Sequence, residues 1–172
     1  MTVQVRKLKA SDDRSEFRSG NVDLDRFFAQ YAGQNQFRHH LGTTYVAVVD
    51  ELIAGYATVT ASEILPSMMP AMTRKRPARY PVPVLRLARL AVDERTRSQG
   101  VGDTLMRPVF TLAHGMADQF GCVGVLVDAK PDAIAFYRRF GFMVIDMVTG
   151  PLGDRPQPTP MLLGLAEIPA AK

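Results

Sequence analysis

The chain has 172 residues, 47% hydrophobic and 22% charged, with 21 Lys+Arg against 17 Asp+Glu and a net charge of +4. Such a chain is expected to form one domain over 1–172 with a real core, and no apolar run has the length of a membrane span or the form of a signal-peptide core. The single Cys122 argues against disulfides and for a reducing cytoplasm, while His39, His40 and His114 lack metal-ligand spacing, so no metal is expected. In chain order, Val3 to Leu8 reads as an edge strand. Leu24, Phe27, Phe28 and Tyr31 then mark one face of a helix, with Asn21 as its cap and Asp23 and Asp25 in its first turn. Tyr45 to Val49 and Leu52 to Thr60 read as a hairpin joined through Asp50-Glu51.

The stretch from Ser62 to Tyr80 holds Pro66, Pro70 and Pro77 and is expected to be a short helix plus loop. Within it Arg74, Lys75, Arg76 and Arg79 form a basic cluster, and Arg86 and Arg89 follow. Taken singly these are surface charges on a solvated loop; taken together they suit a polyanion, either a phosphorylated cofactor or nucleic acid. The apolar run Val84 to Val92 reads as a strand. Leu85 and Leu87 share one parity and Leu90 and Val92 take the other, so one extra residue, a β-bulge, is expected near Ala88-Arg89. A bulge frees a main-chain N–H from the ladder, where it can steady developing negative charge on a bound group.

That strand leads into Arg97-Ser98-Gln99-Gly100-Val101-Gly102, after which an amphipathic helix runs from Val101 to Phe120, kinked at Pro108. A strand, a Gly-rich turn and a helix start leave several N–H groups aimed at one spot. With the helix dipole they suit a pyrophosphate, and glycine lets the backbone approach it. Cys122 to Asp128 reads as a strand buried on both faces. A short helix with Phe136 and Tyr137 follows, ended by Gly141 as its C′ residue, and Phe142 to Val148 reads as another strand. After a Gly/Pro-rich loop, Met161 to Leu165 suits a last strand.

Arg97, Gly100 and Gly102 in R-x-x-G-x-G, followed by Ala133, Phe136, Tyr137, Gly141 and Phe142 in A-x-x-F-Y-x-x-x-G-F, resemble the two signatures of the GNAT family of acetyl-CoA-dependent N-acetyltransferases. The resemblance implies an α/β (α+β) GNAT fold, a single mixed central sheet of about six to seven strands flanked by helices and bulged around 84–92. It implies acetyl-CoA as co-substrate, held by Leu90, Ala91 and Val92 on the strand, by Arg97, Ser98, Gln99, Gly100, Val101, Gly102 and Asp103 at the turn, and by Asp128, Phe136 and Tyr137. Tyr137 is the candidate acid, since a phenol near pKa 10 stays protonated at neutral pH. Many GNAT enzymes carry a glutamate on the strand matching 84–92; here there is none, and Asp93 or Glu94 would act at most through water. Without a strong base, lysine is a poor acceptor, whereas an α-amino group near pKa 7.7–8.0 is substantially neutral unaided.

Phe17-Arg-Ser-Gly-Asn21 with Leu24 and Phe27-Phe28, and the run from Tyr80 to Asp93, resemble the GNAT toxins of bacterial toxin–antitoxin pairs, which acetylate aminoacyl-tRNA. That likeness implies a ribbon-helix-helix antitoxin as partner, often a homodimer, and no membrane. Arg74, Lys75, Arg76, Arg79, Arg86 and Arg89 would be the tRNA phosphate contacts. Three readings stand side by side: an aminoacyl-tRNA-acetylating toxin, a GNAT enzyme for a small amine or protein N-terminus, and a non-catalytic acetyl-CoA-binding module.

Overall fold

The computed structural model describes residues 2–69, 80–145 and 158–169. Its strands are β1 (Gln4–Lys7), β2 (Thr43–Val49), β3 (Leu52–Ile64), β4 (Val82–Val92), β5 (Gly124–Ala129), β6 (Met143–Val144) and β7 (Thr159–Gly164). They form one seven-stranded sheet in the order β1-β2-β3-β4-β5-β7-β6. The helices are α1 (Val22–Arg26), α2 (Ala32–Phe37), α3 (Val101–Gln119) and α4 (Ile134–Arg139). This is the α/β GNAT-like arrangement expected from the sequence. The chain divides into two compact units, Met1–Thr60 with Leu87–Val109, and Ala61–Arg86 with Phe110–Lys172.

In the first unit β1 pairs antiparallel with β2, and β2 with β3. The hairpin turn falls at Asp50 and Glu51 as expected, both at positive φ (49° and 67°), the backbone that matches the twist of two paired strands. The register steps between Ala47↔Gly55 and Val48↔Ile53, which leaves Ala54 as an extra residue. Its carbonyl is then free to accept from the Asp93 N–H at 2.8 Å and the Thr96 hydroxyl at 3.2 Å. Asn21 caps α1 through its side chain, accepting from the Leu24 N–H at 3.0 Å. The helix then departs from the regular period. Residues Phe27–Tyr31 form a π turn before α2, and Ala32 donates to the Phe27 carbonyl five residues back. One residue is thereby inserted into the stripe. Phe27 and Phe28 are buried, but Tyr31 is exposed and Ala32 takes the buried position expected of it. Phe17, Phe27, Phe28 and Tyr56 join Leu8, Val46 and Ala91 in the core of this unit.

In the second unit β5 pairs antiparallel with β7, and β7 with β6. β7 begins at Thr159, two residues before the expected start. β5 is buried along nearly its whole length, as its unbroken apolar sequence requires. Cys122 lies just ahead of it, not inside it, and is buried. Ile64, Val84, Leu126, Ile145 and Leu162 form the core. Gly141 ends α4 at φ +100°, with Gly141 N–H on the Arg138 carbonyl and Phe142 N–H on that of Tyr137. Between β3 and β4, Pro66–Met68 forms a 3-10 turn within the stretch expected to be a short helix plus loop, of which 70–79 lie outside the described residues. Only the first residues of the strand expected over Phe142 to Val148 are described, since 146–148 lie outside the described residues, as does the loop 150–157.

Candidate functional site

Asp93, directly after β4, is the hub of the first unit's site. It is 1% exposed, and its carboxylate accepts from the Arg18 N–H (3.1 Å), the Arg95 N–H (2.9 Å) and both ends of the Arg95 guanidinium (2.9 and 3.0 Å). Burial pushes its carboxyl up, but these hydrogen bonds outweigh burial and hold it below the usual carboxylate range. A carboxylate bonded on both oxygens holds the start of the loop after β4 in place. Glu94 remains half-exposed, 3.7 Å from the Arg97 guanidinium.

A 3-10 turn over Glu94–Thr96 leads into the Gly-rich turn. Ser98 (φ +60°) and Gly100 (φ +78°) redirect the chain twice within three residues. A Cβ built on Gly100 would meet nothing within 4 Å, so the space above this backbone is open. The α3 ladder starts with Thr104 N–H on the Gly100 carbonyl at 3.1 Å, reinforced by the Thr104 hydroxyl at 2.9 Å. The main-chain N–H groups ahead of that rung are the ones a helix start leaves for a ligand. Arg97, Ser98, Gln99 and Gly100 are exposed there, Gly102 is half-buried, Asp103 is exposed and Val101 is buried, anchoring the helix start. Pro108 sits inside α3, which continues to Gln119.

On β4, Val84, Leu85, Leu87 and Ala91 are buried, while Arg86, Ala88, Arg89, Leu90 and Val92 are half-buried. Arg89 lies with its guanidinium carbon 3.7 Å from the centre of the Phe27 ring, a cation–π contact on a buried aromatic.

In the second unit Arg86 and Asp128 form an ion pair. Asp128, expected at the cofactor, and Arg86, expected on tRNA phosphate, thus engage each other. Tyr137 is 5% exposed, edge-on to Phe136 (5.2 Å) and Phe142 (5.4 Å), and burial pushes its phenol well above its ordinary value. Phe136 is half-buried, and Arg139 lies 5.4 Å from its ring centre. Arg74, Lys75, Arg76 and Arg79 lie outside the described residues. Among the described residues no group of three His, Cys, Asp or Glu is placed to hold a metal ion, and no helix is long and apolar enough to cross a membrane.

Sequence reasoning missed the clamp formed by residues 17–20. The Glu94 N–H donates to the Arg18 carbonyl (2.8 Å), and the Arg97 guanidinium to that of Ser19 (2.5 Å). These partners are 75 or more residues apart in the chain, and the motif Phe17-Arg-Ser-Gly-Asn21 was the one signal pointing to them.

A model of the acetyltransferase (GNAT) domain matches residues 40–144. A tRNA-acetylating toxin of Mycobacterium tuberculosis is 30% identical over 140 residues, 81% of this chain and 83% of that protein. Two solved structures share the fold. AtaT complexed with acetyl-methionyl-tRNAfMet matches with a TM-score of 0.82 at 21% identity over 97% of both chains. A mutant AtaT bound to acetyl-CoA and the C-terminus of the antitoxin AtaR matches with a TM-score of 0.74 at 20% identity, over 98% of this chain and 96% of that one. This chain belongs to the GNAT acetyltransferase family. It is an acetyltransferase, and within that family it is similar to toxins that act on tRNA.

Proposed function

We propose that this protein is a toxin that transfers the acetyl group of acetyl-CoA to the α-amino group of an aminoacyl-tRNA and so stops translation. The observation that carries the acetyl-CoA half is the open, positive-φ backbone at Gly100 at the head of α3, a cradle that fits a pyrophosphate. The likeness to a tRNA-acetylating toxin supports the acceptor, as does the lack of any glutamate on β4 to deprotonate a lysine.

In this reading Arg97 to Asp103 hold the pyrophosphate, and Leu90, Ala91, Val92 and Phe136 flank the thioester arm. A main-chain N–H in the Ala88-Arg89 stretch faces the acetyl oxygen. Tyr137 keeps its proton at neutral pH and gives it to the departing sulfur. Arg86 and Arg89 are each engaged within the fold, so the tRNA phosphates fall chiefly to Arg74, Lys75, Arg76 and Arg79. We further propose a single domain over 1–172, a cytoplasmic homodimer, and a ribbon-helix-helix antitoxin as its partner.

Incubating the protein with acetyl-CoA and charged total tRNA, then identifying the acetylated amino acid by mass, tests this reading. One or a few N-acetyl-aminoacyl-tRNAs are expected. No acetylated species, together with turnover on a small amine, would replace it with the small-amine enzyme.

A further inference from the structure

The clamp over residues 17–20 has no place in the chemistry above, yet it ends on the one arginine of the Gly-rich turn. Its build is specific. Ser19 is held from behind by Asp25, whose carboxylate takes both the Ser19 N–H (2.9 Å) and hydroxyl (2.6 Å). Arg18 is fixed on both sides of its peptide, N–H to the buried Asp93 and carbonyl to the Glu94 N–H. The Ser19 carbonyl is therefore a stationary acceptor, and one arm of the Arg97 guanidinium hangs from it.

Gly20 is what makes this approach possible. A Cβ there would lie 2.7 Å from the Arg97 guanidinium and 2.8 Å from the Glu94 carboxylate, and its φ of +89° disfavours any L side chain. Guanidinium and carboxylate thus pack directly over bare backbone. The Arg97 side chain is still 60% exposed. A guanidinium has five N–H donors in a rigid fork, so one arm on a carbonyl leaves the others to face outward.

We propose that Ser19 and Gly20 are positioning residues for acetyl-CoA. They tether Arg97 by one arm so that its remaining donors are set toward the pyrophosphate before it arrives. This rests on the reading of 97–102 as the pyrophosphate turn. A free arginine would lose its rotamer freedom on binding, whereas a tethered one has already lost it on folding.

The test measures affinity of the full chain for acetyl-CoA by calorimetry and for acetyl-pantetheine, the same thioester arm without the pyrophosphate, by NMR titration. Gly20→Ala is expected to weaken acetyl-CoA about tenfold, the loss of one charge-assisted hydrogen bond, and to leave acetyl-pantetheine unchanged. In an Arg97→Ala background Gly20→Ala should add nothing, because it acts through that side chain. Arg97→Lys, at an exposed position that does not threaten folding, should also weaken acetyl-CoA about tenfold, since an ammonium cannot reach the carbonyl and the ligand with one planar fork. A lysine with wild-type affinity overturns the proposal, as does equal weakening of both ligands by Gly20→Ala. Gly100→Asp separates the two levels. If it binds acetyl-CoA as the wild type does, the pyrophosphate reading falls and takes the tether with it. If it loses affinity while a folded Gly20→Ala keeps it, the tether alone is wrong.

Discussion

Each unit buries a tyrosine, and the two are put to different ends. Tyr56 is fully buried in the first unit, stacked on Phe28 at 4.4 Å, with its hydroxyl donating to the Leu24 carbonyl at 2.7 Å. Tyr137 in the second unit is nearly as buried, among Phe136 and Phe142. Burial pushes both phenols up, and for Tyr137 burial is the one cause, whereas Tyr56 also feels Arg89 and Asp25. A shifted pKa therefore does not by itself mark a catalytic group. What separates the two is the hydroxyl's partner: that of Tyr56 is committed to a hydrogen bond with the main chain of α1.

The largest expected effect comes from Tyr137→Phe. Turnover should fall by about 10²–10⁴, the usual size of a general-acid contribution, with the thermal midpoint and acetyl-CoA affinity nearly unchanged. Wild-type turnover would reduce Tyr137 to a second Tyr56. The contrast extends to carboxylates. Asp93→Asn should cost about 2–3 kcal/mol in denaturant unfolding at pH 7, since a charge serving four hydrogen bonds is removed from a buried site. Its pKa is depressed in the fold, so this stabilisation is present above the unfolded value of about 3.9 and is lost as pH falls through the folded value. Wild type and variant should accordingly converge below about pH 4 in an unfolding series run against pH.

Tyr56→Phe is expected to cost about 1 kcal/mol by removing the hydroxyl's hydrogen bond to the Leu24 carbonyl, which keeps the Phe27 N–H as a donor, while kcat stays within a factor of about two. A large kcat loss there would erase the distinction between the tyrosines. The smallest effect should come from Asp128→Asn. Its ion pair with Arg86 is partly exposed, so less than about 1 kcal/mol is at stake, and chemical unfolding should barely register it.

Local features were legible in the sequence because local forces set them. The Asp50-Glu51 turn, the Asn21 cap, the Gly141 stop and the strand–turn–helix at Gly100 each depend on a few adjacent residues. The π turn was not legible, since regular spacing gives no sign of one inserted residue until Tyr31 is found outside and Ala32 inside. Nor were the pairings of Arg18 with Asp93, Ser19 with Arg97 and Arg86 with Asp128. Charge on a linear chain does not say which opposite charge or carbonyl the fold will bring to it.

The placing of β7 has a consequence for how the protein is made. Residues 159–164 lie between β5 and β6, although they are synthesised after both. While the ribosome is still short of residue 159, β5 has no β7 to pair with and Met143 and Val144 have no neighbour strand. The second unit, with Tyr137 in it, therefore closes late. A chain built this way cannot complete the sheet of its second unit before residues 159–164 have left the tunnel of the ribosome that makes it.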